Sequence, residues 1–287
     1  QDLMLTLLLK VLDAAIVKYV NEYCFYRQLF LYSKIKSVNL VQEGMQKGMF
    51  HAANKANVEV NEFQHGYVGH MHPAYSYPNL IPADNNIYLP ARLLTFSPHW
   101  HCVESYPVKE FISIGSKKEI VRTETTKNPD LCLIVSADVY HYHLAKLTKK
   151  IAKISSNITF FYKLHPNQKN KFGIIEKEFS DFPNVVVLDP IINISGYLQD
   201  ALFVLLIQST VAYEALQANS ILLCYKKLDY ACHSDLLGKP NVFYVDDEIE
   251  LQAIFTSNLS MTVDSPLNVY FDNFNQKLAK TVLNEQT

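Results

Sequence analysis

With 49% hydrophobic and 19% charged residues over 287 positions, the chain has a globular composition and enough length for two domains of ordinary size, which excludes a disordered or fibrous class. A formal net charge of -2 and a pI near 6.6 remove any global reason to expect nucleic acid as a partner, so an anion site has to be local. The five cysteines are scattered, odd in number and form no C-x-x-C pair, which excludes a disulfide framework and a thiolate metal site and fits a reducing cytoplasm.

No apolar run reaches the length that spans a bilayer. The opening run Leu3 to Leu9 is interrupted by Lys10 and Asp13 and lacks a basic flank and a small-residue cleavage site, so it does not read as a signal peptide. The chain opens on Gln1 inside a helical pattern, and a truncated or processed chain with sheet strands upstream is the expectation. The periodicity predicts a helix over 2–34. Its apolar face around Leu3 to Tyr19 is expected to pack on a domain, with peripheral association at the inner face of the cytoplasmic membrane as the second reading. A strand at Ser37 to Val41, a helix from Gly44 to Lys55 and a strand at Val58 to Phe63 form a βαβ unit, which implies a parallel sheet. Strands at Leu93 to Phe96 and Glu110 to Ile114 follow, with His99, Trp100 and His101 between them read as a core-anchored helical turn.

The polar, unpatterned stretch 116–129 reads as a linker between a first domain, 1–115, and a second, 130–260. The second domain alternates regularly. Strands are predicted at Leu131 to Val135, Ile158 to Tyr162, Val185 to Leu188, Ala201 to Ile207, Ile221 to Tyr225 and Val242 to Val245, with helical segments between them, which is a doubly wound α/β pattern. The remainder, 261–287, holds a helix over 268–284 that is expected to pack back on the first domain. With eight glycines and neither G-x-G-x-x-G nor G-x-x-x-x-G-K-[ST], a dinucleotide fingerprint and a P-loop are both excluded.

Candidate chemistry gathers at three strand ends. The strand ending Phe161-Tyr162-Lys163-Leu164-His165-Pro166 stops where Pro166 cannot donate to a ladder, leaving Lys163 and His165 at a carboxyl edge, where open α/β sheets bind ligands. Both side chains are suited to phosphate oxygens. The strand ending Ile207-Gln208-Ser209-Thr210 delivers two hydroxyls to a helix amino end, where free N–H groups favour an anion. Glu214, one turn on, either reaches toward ribose hydroxyls or faces solvent. His141 and His143, after Asp138, would border the same nucleotide cleft. In the first domain, Glu62-Phe63-Gln64-His65-Gly66 leads into a loop of histidines and tyrosines. Glu62 and His65 point to opposite sides of the strand, and His65, beside a glycine that permits close approach, is preferred over Glu62 as general base. Gln64, Gly66, His70, His72 and Tyr75 are read as acceptor contacts, with loop packing an equal account of the tyrosines. His70-x-His72 lacks a helical metal-ligand spacing and the thiols are remote, so no metal is expected.

A two-domain α/β chain with Lys-x-His-Pro followed by Ser-Thr-(x)3-Glu-Ala-Leu resembles the bacterial GT-B glycosyltransferases of surface polysaccharide (capsule and lipopolysaccharide) synthesis, and the His-Pro and Ser-Thr pair is similar to that of CMP-sugar-using sialyltransferases. The resemblance spans about 37–256 and implies two Rossmann-like domains with a cleft between them. It also implies transfer of a CMP-activated acidic sugar, such as sialic acid or Kdo, to a glycan or lipid-linked glycan acceptor, with no metal or other cofactor. His165, Ser209 and Thr210 match the residues that hold the CMP phosphate in that family. The family's acidic catalytic motif is replaced here by Glu62-Phe63-Gln64-His65-Gly66, which leaves the base to His65 or Glu62. A UDP-sugar 2-epimerase resembles the same layout and is the alternative enzyme. A teichoic-acid-type polyol-phosphate transferase is a second alternative.

Overall fold

A computed structural model of the protein describes residues 2–41, 46–69, 72, 74–77, 88–102, 106, 108–117, 127–226, 231–257 and 269–284. The chain divides into two compact units, one of Gln1–Ser116 with Asp272–Thr287 and one of Lys117–Phe271.

The first unit is built on a four-stranded, all-parallel sheet of β1 (Ser37–Leu40), β2 (Glu59–Phe63), β3 (Arg92–Thr95) and β4 (Glu110–Ser113), in that spatial order. Two helices precede the second strand, α1 (Asp2–Tyr32) and α2 (Lys47–Lys55), and the latter starts after residues 42–45, which lie outside the described ones. They cross at Gly48, where a Cβ would lie 2.7 Å from Glu22 Cβ and 2.8 Å from the Tyr23 amide nitrogen, so only glycine allows the approach. Phe30, Met49, Phe50, Ala53 and Val60 form the core beneath that crossing. The amino half of α1 is apolar and exposed, with Met4, Leu7, Leu8 and Val11 all above half exposure. Among the described residues no helix is long and apolar enough to cross a membrane.

The helix predicted over 268–284 forms only as α8 (Gln276–Asn284), because residues 272–275 are used as an extended connection to the sheet. The Asp272 amide donates to Phe96 O at 2.9 Å, the Asn275 amide to Ile114 O at 2.8 Å, and Ser116 pairs with Asn273. Gly115, with φ +78°, lies against the Asn273 carbonyl group, which requires the left-handed turn and the missing side chain together. Ala279 and Val282 then pack on Leu94 and Ile114.

The second unit carries a six-stranded, all-parallel sheet. Its strands are β5 (Asn128–Val135), β6 (Thr159–Lys163), β7 (Val185–Leu188), β8 (Ala201–Leu206), β9 (Ile221–Tyr225) and β10 (Val242–Val245). Their spatial order is β10-β9-β8-β5-β6-β7, so the chain starts in the middle, builds outward to β7, then returns past β5 and builds the other way. Helices α3 (His141–Ile154), α4 (Phe172–Glu178), α5 (Ser195–Asp200) and α6 (Val211–Gln217) connect strands, and α7 (Glu248–Thr256) follows the last one. Continuous apolar strands explain the core, since Cys132, Ile134, Phe160, Phe203, Leu205 and Leu223 are buried on one face of the sheet and Leu133, Val204 and Leu222 on the other. At the amino edge, Lys127 is buried and donates its ammonium to the carbonyls of Leu198, Gln199 and Ala201 and to Ser220 Oγ, tying the start of β5 to the end of α5. Burial pushes its pKa down to about 8, with Asp200 acting in the opposite sense.

Candidate active site

The strand order reverses between β5 and β8, and such a switch point opens a crevice at the carboxyl ends of the strands. Val135 at the end of β5 pairs with Lys163 on one side and with Leu206 on the other. The β6 and β8 exits are therefore two strand spacings apart on one edge, about 10 Å. The segments carrying His165 and Ser209-Thr210 leave from these neighbouring positions.

At the β6 exit, Pro166 opens a 3-10 turn, Pro166–Lys171, and His165 caps it. The His165 Nδ1 accepts the Asn167 amide at 3.2 Å, while the His165 amide donates to Gln168 Oε1 at 2.9 Å. An acceptor at Nδ1 assigns the ring proton to Nε2, which makes the exposed imidazole a directed donor toward solvent. Lys163 behaves differently from the sequence expectation. It is 7% exposed and its Nζ donates to the carbonyls of Leu164 at 2.9 Å and Pro190 at 2.5 Å, joining the ends of β6 and β7. Two of its three N–H donors are thus engaged by backbone carbonyls. Burial lowers its pKa, against the raising influence of Asp189.

At the β8 exit, Ser209 Oγ accepts the Val211 amide at 3.2 Å, so the hydroxyl proton is left to point outward. Thr210 is already helical (φ -63°, ψ -14°) and makes no side-chain capping bond. The Ser209 amide donates to His233 Nε2 at 3.2 Å. Glu214 is buried at 7% exposure, so the solvent-facing account of it does not hold. Three residues that sequence reading missed support this loop. Tyr213 donates to Asp235 Oδ1 at 2.9 Å, Gln217 bonds the backbone of Phe271 through both ends of its amide, and His233 lies behind Ser209. Each is an isolated polar group in an apolar or irregular stretch, and no local spacing announces it. His141 is engaged with Tyr162 and Glu178, at 3.0 and 3.4 Å, and belongs to the packing of α3.

In the first unit, β2 carries Glu62 buried, and His65, two residues past the strand end, is exposed. Glu62 is fully buried, and its carboxylate accepts from Tyr75 at 2.9 Å and Tyr106 at 3.2 Å. The Lys47 ammonium sits among the rings of Tyr77, Phe50 and Tyr106 at 4.9, 5.6 and 5.8 Å, and makes no hydrogen bond to the described residues. Burial pushes Lys47 down to about 8, with the Glu62 charge acting upward, and the same surroundings push Tyr77 up to about 12. Tyr75, at 1% exposure with its hydroxyl on Glu62, packs the loop and is not presented as an acceptor contact. Gln64 is the pivot. Its Oε1 accepts the Phe96 amide at 2.8 Å and its Nε2 donates to Gly66 O at 2.9 Å, which holds the exposed His65 between two fixed backbone points. The His72 Nδ1 accepts the Ala74 amide at 3.1 Å, leaving Nε2 as its donor; His70 lies outside the described residues.

Comparison of the whole chain with solved structures finds the same architecture. The chain is similar to S. aureus MnaA, solved with UDP, at 13% identity and a TM-score of 0.59, over 92% of this chain and 78% of that one. It is similar to the UDP-GlcNAc 2-epimerase of Neisseria meningitidis bound to UDP-GlcNAc, at 13% identity and a TM-score of 0.55, over 92% and 81% of the two chains. The glycotransferase of kitacinnamycin matches at 12% identity and a TM-score of 0.55, over 86% and 74%. No protein-family model and no curated sequence matches the chain. The fold is therefore of the GT-B type, with two Rossmann-like α/β units.

Proposed function

We propose that this chain is a nucleotide-sugar enzyme, a metal-independent glycosyltransferase that moves a sugar from a nucleotide donor to a glycan or lipid-linked glycan acceptor on the cytoplasmic side of surface polysaccharide synthesis. What supports the reading is that the strands leading to His165 and to Ser209-Thr210 end on one edge of the second unit's sheet, on either side of the switch point. In this reading His165 Nε2–H and the two hydroxyls donate to the departing nucleotide's phosphate, charge develops there as the glycosidic bond breaks, and the donors stabilise it. Lys163 contributes by fixing the loop from which His165 projects. Glu214 is assigned to the ribose. His65 of the first unit takes the proton from the acceptor hydroxyl, and Glu62, with both oxygens bonded, supports the loop and takes no proton. Gln64 and Gly66 shape that loop, and His72 is assigned to the acceptor side of it.

The sequence motif favours a CMP-linked donor, whereas the similar solved structures contain UDP or UDP-GlcNAc, and this favours a UDP-linked one. We place UDP first. Calorimetric titration with UDP, CMP and GDP tests base preference, and absence of binding by all three would sink the reading. Epimerisation at C2 of a UDP-sugar is the second reading, favoured by the likeness to the Neisseria meningitidis UDP-GlcNAc 2-epimerase. Incubation with UDP-GlcNAc and no acceptor separates them: interconversion to a second free UDP-sugar supports the epimerase. His65→Ala is expected to lower transfer turnover by about a hundredfold with little change in nucleotide affinity. Near-normal turnover would remove His65 from the mechanism.

A further inference from the structure

We infer that His233 is a positioning residue of the nucleotide loop, holding the Ser209 backbone from behind so that the Ser209 and Thr210 hydroxyls stand ready for phosphate. The inference rests on the nucleotide-binding reading for its functional meaning. Past Leu206, which pairs with Cys224, the β8–β9 ladder ends, and the amide of Ser209 has no strand partner. His233 supplies one, accepting that N–H at Nε2 over 3.2 Å. The ring is 1% exposed and lies at the kink (φ -115°, ψ 17°) between two 3-10 turns spanning Ala231–Leu236.

An acceptor at Nε2 puts the proton on Nδ1, and Nδ1 finds no hydrogen-bond partner among the described residues. A buried donor is thus left unmet so that the ring can serve Ser209, an arrangement that costs stability and calls for a compensating use. Two tyrosines hold the segment in that pose. The Tyr244 hydroxyl donates to His233 O at 2.7 Å, and Tyr213, whose ring centroid is 5.9 Å from the imidazole, donates to Asp235. Burial keeps the ring neutral, with its pKa pushed down to about 4 against the raising effect of Asp235, so the acceptor persists at neutral pH. His233 touches no ligand atom in this scheme and acts only through Ser209.

The test compares His233→Phe, which keeps a ring and removes the acceptor, with His233→Gln, whose Oε1 reaches about as far as Nε2. In the ligand-free chain, hydrogen exchange over 207–213 is expected to quicken about tenfold at Ser209 in His233→Phe and to return near wild type in His233→Gln. UDP affinity is expected to fall about tenfold and recover in the same pattern. Wild-type exchange and affinity in His233→Phe would overturn the inference, as would His233→Gln behaving like His233→Phe, since volume and not the acceptor would then matter. If His233→Phe does not fold, His233→Asn, too short to reach Ser209, takes its place against His233→Gln. A wild-type chain that binds neither UDP nor CMP removes the nucleotide reading, and the exchange comparison alone then decides whether His233 holds the loop.

Discussion

Lys163 and His165 leave the same strand end and are expected to answer substitution in opposite ways. Lys163→Met removes the clamp between two carbonyls, and the expected loss is in stability, about 1–3 kcal/mol in urea melts, with nucleotide affinity changed little. His165→Ala removes an exposed donor and the cap of the Pro166–Lys171 turn, and the expected loss is mainly in affinity, about tenfold, with about 1 kcal/mol or less in the melt. An identical affinity loss in both variants would restore Lys163 to the phosphate site. His233 gives a pH signature of its own. Its pKa is pushed from 6.5 to about 4 in the folded chain, so between those values the unfolded chain binds more protons than the folded one. Stability is therefore expected to fall as pH drops through that window, by on the order of 3 kcal/mol from this residue. Urea melts at pH 7 and 4.5 measure it, and His233→Gln should flatten that part of the profile.

Most elements were legible because they are written locally. β2, read as Val58 to Phe63, is found at Glu59–Phe63, and α7 starts where Asp247 caps it by accepting the Ile249 and Glu250 amides. What could not be read is where a polar side chain goes once its strand ends. Lys163 finds a carbonyl 27 residues on, Ser209 an imidazole 24 residues on, and Glu62 the hydroxyls of Tyr75 and Tyr106, 13 and 44 residues on. Glu62 lies on β2 and is buried whereas His65, exposed, lies two residues past the strand, and the tyrosines that close over Glu62 are a product of loop packing. The connection before α8 was missed for a similar reason: Asp272 and Asn275 bond a turn whose shape depends on Gly115. Gly115→Ala is accordingly expected to destabilise the chain by roughly 2–4 kcal/mol in denaturant melts, because its φ is +78° and a Cβ would stand 2.9 Å from Asp272 O. A change below about 0.5 kcal/mol would mean that the turn relaxes freely.

Across the whole molecule, two units with separate cores are expected to unfold in two calorimetric steps and not as one cooperative unit. Under the nucleotide reading, UDP should raise the step belonging to Lys117–Phe271 and leave the other in place. A single transition moved as a whole by UDP would contradict that separation. The amino edge of the second sheet offers a way to tell which step is which. Lys127 has the depressed pKa that favours reaction with amine reagents near pH 8, yet its nitrogen is enclosed by carbonyl oxygens and Ser220. Acetylation of this amine then has to wait for the sheet to open, whereas exposed Lys169 is modified at once. Pulse labelling read by peptide mass spectrometry would make Lys127 a clock for the opening of its unit, and labelling as fast as at Lys169 would show that the enclosure is not maintained in solution.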